Sequence, residues 1–540
     1  MKSTMSAMPL TTRLIYDHGR TVHHGSLVTT YAADGSSTTQ TYSEIAERAD
    51  RLAAGLQRLG IRPGDRVGTF CWNHGDHLAA YFGVPGMGAV LHTVNIRLSP
   101  EQVAFVVNHA EDRLLIVDQL LVDQLAPLVD SLPKVERFLV IGGDGAALGD
   151  RAMPFEEALA EPGAVPDWPE LDESAAASIC YTSGTTGDPR GVAYGHRSTF
   201  VHSLAQCATN AFAIGQADTI LLMVPMFHAN AWGLPYSGWM SGADLVMPQS
   251  TLDAGSLARM FEERRPTFTA GVPTIYNDLL NHEAPAPVDL SSLRVAVCGG
   301  SAVTGALIEA MRERGVPMLQ GWGMTETSPL CALSLPPKHS PPEEDTYWRS
   351  KSGRPSSAGI ELRIVDDEGA ELPWDGASVG EIEVRGPWVT TSYYGIDTPE
   401  KFDDGWLRTG DVGYGDKERF VQLTDRAKDV IKSGGEWISS LDLEDGLASH
   451  PDVLEVAVIG VADERWEERP LACLVLRDGA ELDPAALAAH LAPQVARWWI
   501  PERWASLTEI PKTSVGKADK KALRASYVAG EIEVVIPARR

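Results

Sequence analysis

The chain is short of cysteine pairs, of long apolar runs and of positive charge, and each shortage excludes something. Cys71, Cys180, Cys207, Cys298, Cys331 and Cys473 are scattered with no C-x-x-C spacing, which argues against a disulfide framework or a zinc site and for a reducing cytoplasm. No stretch approaches the ~20 apolar residues that span a bilayer, and the start, "MKSTMSAMPLTTRLIYDHG", lacks the apolar centre of a signal peptide. The expectation is a cytoplasmic protein with no integral membrane segment. Lys plus Arg number 46 against 73 Asp plus Glu, a net charge of −27, which opposes a nucleic-acid partner. Any bound polyphosphate must therefore be held by local donors.

What is present is ample core material. At 540 residues and 44% hydrophobic, the chain exceeds one hydrophobic core. "TYSEIAERADRLAAGLQRLG" reads as an amphipathic helix with Thr41 and Glu44 at capping-box spacing and Gly60 as its stop. "AVLHTVN" and "RLLIVD" read as strands around a helix that Ser99 caps and Pro100 opens. The same alternation in "FTAGVPTIYNDLL" and "RVAVCGGSAVTGALIEAMRERG" predicts an α/β fold on largely parallel sheets. From about residue 351 short strand candidates punctuated by Gly and Asp predict a β-rich subdomain. After Asp425 a separate α+β unit is expected.

"YTSGTTGDPRG", residues 181–191, lies between the strand candidates "ASICY" and "GVAYG". Its glycines allow successive backbone N–H groups to turn toward one anion, and Thr182, Ser183, Thr185 and Thr186 add hydroxyls. By itself the stretch fits either a phosphate cradle or a solvated turn. It is not a Walker loop, since no G-x-x-x-x-G-K-[ST] occurs. A serine hydrolase is disfavoured because no G-x-S-x-G elbow occurs.

Five further blocks follow in order: "GGSAV" at 299–303, "GWGMTETSP" at 321–329, "GWLRTGD" at 405–411, "DRAKDVIKSGGEWIS" at 425–439 and "PKTSVGK" at 511–517. With the glycine-rich loop they resemble the adenylate-forming enzymes: acyl-CoA synthetases, luciferases and adenylation domains. The resemblance runs over nearly the whole chain and is nearest to bacterial medium- and long-chain fatty acyl-CoA synthetases. It implies a large N-terminal domain at 1–425, with two α/β sheets and the β-rich subdomain at about 351–425, and a small mobile α+β domain at 426–540.

The resemblance also implies a chemistry. A carboxylic acid attacks the α-phosphate of ATP with Mg²⁺ bound, and the acyl-AMP passes its acyl group to CoA. Thr182, Ser183, Gly184, Thr185 and Thr186 would hold phosphate, together with Gly299, Gly300, Ser301, Gly321, Gly323 and Met324 around the nucleotide. Trp322 would face adenine; Asp411 and Arg426 would meet the ribose; Thr325 would bond the α-phosphate and Glu326 would hold Mg²⁺. Lys517 would meet charge developing on the α-phosphate. Lys428 matches the hinge, and Lys432, Ser433, Gly434, Gly435, Glu436 and Trp437 would serve CoA. Gly300 and Trp232 would shape the acyl pocket, Trp232 as a gate, while His228 fits either a carboxylate contact or a core histidine.

Arg190, Gly195 and Glu467 depart from the usual pattern. The expected substrate is a medium- or long-chain fatty acid; a short thioether acid such as methylmercaptopropionate, an aryl acid, or delivery to a separate carrier protein stand as alternatives. A homodimer is left open.

Overall fold

In the computed structural model, residues 1–540 are described apart from 2, 183–187, 283–285, 302, 427, 428, 430, 434, 435, 464, 514–516 and 537–540; at 425, 426, 432, 436 and 437 the backbone alone is described. Two large sheets dominate. One has nine strands and includes, side by side and parallel, Phe268–Gly271, Val295–Gly299 and Met318–Gly323. The other has seven, with Arg66–Phe70, Val90–Thr93 and Asp112–Asp118 parallel and the hairpin Ala176–Tyr181 with Gly191–Gly195 at its edge.

Between the sheets lies a shared helical layer. Helix Gly75–Gly86 buries every residue but Asp76, as expected of a helix covered on all sides. Its neighbour Tyr42–Arg58 turns Ile45, Leu52 and Leu56 inward and carries the expected capping box of Thr41 and Glu44. Side chains from both sheets, Val297 and Leu245 from one and Leu91 and Ile116 from the other, join these helices in one core. Helix Pro100–Ala110 is capped by Ser99 as its sequence predicts.

Beyond residue 351 a five-stranded antiparallel sheet is built from Glu361–Val365, Gly380–Arg385, Phe402–Asp403, Trp406–Gly415 and Val421–Arg426. The carboxy-terminal unit has its own five-stranded sheet around the hairpin Val453–Asp463 and Glu467–Leu476 and two small cores of its own. Separate cores are what allow such a unit to move as a body. It meets the larger domain through helix Ser440–Ala448, whose cap Ser439 donates to the Thr424 carbonyl at 2.6 Å and whose Asp445 faces the backbone N–H of Gly305 at the start of helix Gly305–Glu313. A carboxylate suits that helix end, where backbone N–H groups lack partners. Among the described residues no helix is long and apolar enough to cross a membrane.

Candidate active site

A cavity of about 400 Å³ opens at the carboxyl ends of the parallel strands Val295–Gly299 and Met318–Gly323. This is where open α/β sheets hold ligands, because the loops leaving successive strands diverge there. The cavity gathers residues from distant parts of the chain: Thr182 beside the glycine-rich loop, His228 and Trp232, Gly300, the run 321–326, and Lys517. A cavity of similar volume, about 410 Å³, lies among Pro63, Val90, Leu171 and Ala193 and holds none of the motif residues.

The glycine-rich loop does join two antiparallel strands, as its flanks predict. Its base is closed by Thr182 N–H to the Arg190 carbonyl at 2.9 Å and Arg190 N–H to Thr182 Oγ1 at 3.1 Å. Ser183, Gly184, Thr185 and Thr186 lie outside the described residues. Thr182, Asp188 and Arg190 all line the cavity.

The 3-10 turn Thr325–Thr327 is buried and pinned from two sides. Tyr194 OH donates to the Thr325 carbonyl at 2.6 Å, and Tyr393 OH donates to Glu326 Oε1 at 2.6 Å. Burial raises the Tyr393 phenol, and the neighbouring Glu326 charge raises it further, so the hydroxyl stays a donor. The Arg190 guanidinium stands 5.1 Å over the Tyr393 ring, a cation–π distance. Upstream of the turn, a Cβ on Gly323 would lie 1.6 Å from the Pro329 carbonyl oxygen, so only glycine lets the chain fold back so tightly. Gly300 has φ +83, the left-handed region that glycine enters without penalty.

Trp322 is buried, and its indole N–H donates to Asp411 Oδ2 at 2.8 Å. That bond ties the β-rich subdomain to the strand end and leaves Asp411 buried beside the cavity wall. Gly299 lies behind Gly300, its α-carbon facing the Gly321 carbonyl, and Ser301 is exposed; neither lines the cavity.

Lys517 comes from the carboxy-terminal unit and is tied to Thr513, with Thr513 N–H to the Lys517 carbonyl at 2.7 Å and Lys517 N–H to Thr513 Oγ1 at 3.2 Å. A Cβ on Gly300 would lie 4.0 Å from Lys517 Cε, so the tail's lysine reaches the strand ends. Burial first, and then Lys517 and Arg97, push His228 down to about 4; it is neutral at ordinary pH and can donate one N–H or accept one.

The remaining assignments separate from this group. Ser433 is buried in the carboxy-terminal sheet, accepting from Arg469 Nη1 at 3.2 Å, and is absent from the cavity wall. Lys428, Gly434 and Gly435, and the side chains of Arg426, Lys432, Glu436 and Trp437, lie outside the described residues.

Of the departures, Gly195 precedes helix His196–Cys207 without a capping side chain. A serine Cβ there would meet only ordinary contacts, at 3.5 Å and beyond. Glu467 sits at φ 69, where a non-glycine residue costs about 1–2 kcal/mol.

Sequence reading missed Gln206, Phe212, Tyr393, Lys401 and Arg408, all in the cavity wall. Arg408 and Thr409 stand inside the quoted "RTGD" block, which was a signal to hand; no local signal marks the others. Lining side chains include the cations Arg190, Lys401, Arg408 and Lys517 against the carboxylates Asp188 and Glu326. A locally cationic cavity in a chain of net charge −27 suits a polyphosphate with its divalent cation. Glu326, held by Tyr393, is a hard oxygen donor fit for that cation.

Fold and site together define a nucleotide-activating enzyme. The model of the AMP-binding enzyme family matches residues 20–394, and that of the AMP-binding enzyme C-terminal domain matches 442–517; the chain belongs to this family. It is 43% identical over 494 residues to a long-chain-fatty-acid–CoA ligase of Thermus thermophilus, covering 90% of each chain. It is 40% identical over 534 residues to a 3-methylmercaptopropionyl-CoA ligase of Ruegeria lacuscaerulensis, covering 98% of this chain and 99% of that one. Among solved structures, an anthranilate CoA ligase in complex with anthranoyl-AMP superposes with a TM-score of 0.88 at 25% identity, over 98% of this chain and 100% of the other.

Proposed function

We propose that this protein is an AMP-forming acid–CoA ligase whose acid is a medium- or long-chain fatty acid. A carboxylate oxygen attacks the α-phosphorus of ATP, the bond to the bridging oxygen breaks, and pyrophosphate leaves. The thiol of CoA then attacks the acyl carbon, AMP departs with the former carboxylate oxygen, and the thiol proton passes to solvent. The observation that carries the reading is the convergence of Lys517, Thr325, Glu326 and Thr182 on one cavity from positions spread over more than 300 residues.

Each residue has a task in this reading. Lys517 and Arg190 oppose charge that grows on the phosphates, Thr325 orients the α-phosphate, and Glu326 holds the divalent cation. Mg²⁺, when bound, neutralises phosphate charge. Neutral His228 and Trp232 shape the acid end, with Gly300 giving the substrate room beside the strand. Asp411, through Trp322, borders the ribose. The seating of Lys517 in the cavity is the arrangement the first half-reaction requires. CoA transfer would need the carboxy-terminal unit, residues 426–540, to turn about Lys428 and present 432–437. The six cysteines carry no disulfide, in keeping with a cytoplasmic setting.

A pyrophosphate-release panel over acids from propionate to palmitate, with methylmercaptopropionate and aryl acids, tests the reading. Release that depends on a fatty acid, and acyl-CoA formed only when CoA is added, is the expected result. Release with a thioether or aryl acid alone would move the substrate class, and no release with any acid would overturn the function.

A further inference from the structure

The residues under the acid end of the cavity hold an uncommon backbone. Ala229, Asn230, Ala231 and Trp232 have φ of 43, 52, 50 and 57, and Gly233 follows at 79. Non-glycine residues enter this region singly as a rule, because Cβ crowds the carbonyl oxygen. A run of this kind persists where its surroundings over-determine it, and such strain gathers at functional sites.

The turn is anchored at two points. Near its start, Asn230 Nδ2 donates to Ser178 Oγ at 2.9 Å while Asn230 Oδ1 accepts from Thr93 Oγ1 at 3.2 Å and Cys180 Sγ at 3.1 Å. These partners lie on the paired inner strands Val90–Thr93 and Ala176–Tyr181 of the seven-stranded sheet and fix the turn to that sheet. At its end, the Trp232 carbonyl accepts a hydrogen bond from Gln206 Nε2 at 2.7 Å. Gln206 is fully buried on helix His196–Cys207, and its side chain reaches the cavity wall beside Phe212 and Trp232. Its Oε1 has no hydrogen-bond partner among the described residues. The amide orientation is nonetheless decided, since the flipped group would set oxygen against the Trp232 carbonyl oxygen.

We propose that Gln206 is the positioning residue for Trp232: its single N–H bond keeps the last non-glycine residue of the left-handed turn from relaxing, and so sets the enzyme's affinity for its acid. The claim that acid affinity follows rests on reading the cavity as the acid and ATP site; the hold on Trp232 does not. Without that bond the carbonyl is buried and unpaired while the strain remains, and both effects push the turn toward other conformations that carry the indole elsewhere. The nucleotide end, built on the strand ends and Thr325–Glu326, keeps its own anchors.

The test uses Gln206→Glu, close in shape but unable to donate once ionised, with Gln206→Leu alongside. Protonated at low pH, the glutamic acid O–H can donate to the Trp232 carbonyl again. Nearby titratable groups do not interfere: burial pushes His202 down to about 3, burial with Lys517 and Arg97 pushes His228 down to about 4, and burial with Asp218 pushes Cys207 up to about 11.

With 5-fluorotryptophan incorporated and Trp232→Phe used for assignment, the Trp232 fluorine line should be displaced in Gln206→Glu at pH 9 and return toward wild type at pH 6. In Gln206→Leu it should be displaced at both. The acid KM should rise about tenfold where the bond is missing and recover with it, while the ATP KM stays within about twofold. A Gln206→Leu line coincident with wild type at either pH, or a Gln206→Glu line that is displaced at pH 9 and returns at pH 6 while the acid KM does not recover, would overturn the proposal; burial raises the carboxyl of Gln206→Glu, so its line is read only where it is ionised. If the line moves as expected and wild type releases pyrophosphate with no acid, the assigned function falls while the hold on Trp232 stands.

Discussion

Lys517 and Tyr393 both line the cavity, Tyr393 with its hydroxyl on Glu326. A cation that meets charge developing only in the transition state is worth about 3–4 kcal/mol, or 10²- to 10³-fold in rate. Lys517→Ala should therefore lower acid-dependent pyrophosphate release by that factor. Thioester formation from supplied acyl-AMP should be nearly unchanged, because in the proposed reading the carboxy-terminal unit turns for that step and carries Lys517 away from the phosphate. Rapid-quench measurement of the two half-reactions separates these outcomes. Tyr393→Phe removes one hydroxyl while keeping the ring under Arg190. Glu326 then loses its 2.6 Å donor, and the Mg²⁺ concentration for half-maximal pyrophosphate release should shift severalfold. An unchanged Mg²⁺ titration would remove Tyr393 from any role in holding that carboxylate. Neither tyrosine contact was legible in the sequence: Tyr194 and Tyr393 lie more than 65 residues from the groups they bond, and no periodicity records such a pairing.

Two short elements decide where the site residues point. The turn after strand Met318–Gly323 doubles back so closely that Gly323 faces the Pro329 carbonyl. Gly323→Ala would require backbone to shift by more than an ångström, and the first thing to move is the Thr325–Thr327 turn. The expected outcome is a folded protein, by circular dichroism and melting, whose pyrophosphate release falls at least about 100-fold, as misplaced groups cost in a preorganised site. Normal activity would show that the turn tolerates displacement. Much of this level was readable: the capping boxes at Thr41 and Ser99, the strand–loop–strand form of residues 176–195 and the strand preceding "GGSAV" all follow from local rules. The left-handed run at 229–233 was not, because "HANAWG" carries a single glycine and no turn rule calls for so many positive φ angles; buried partners distant in sequence, Ser178, Thr93, Cys180 and Gln206, hold it.

At the scale of the molecule, burial of histidine gives stability a pH dependence. Burial pushes His77 and His202 down to about 3 and His196 and His228 down to about 4, against about 6.5 in the unfolded chain. Below pH 6.5 the unfolded state thus binds protons that the folded state refuses, so the stability these groups supply is complete above 6.5 and is lost as pH falls toward 4. The melting temperature should drop steadily over that window. A flat profile would mean that other groups offset these four.

Local chemistry written along the chain settled the layered α/β plan, the β-rich insert, the separate carboxy-terminal unit and the identity of the motif residues, because caps, glycines and hydrophobic periodicity act within a few positions. Which of those residues share a cavity was a tertiary matter. Lys517 reaches Gly300 because the carboxy-terminal unit packs against the rest of the chain, as at Ser439 and Thr424. Gln206, Tyr393 and Arg190 take their places through packing between elements far apart in sequence, and contacts of that kind leave no trace in spacing.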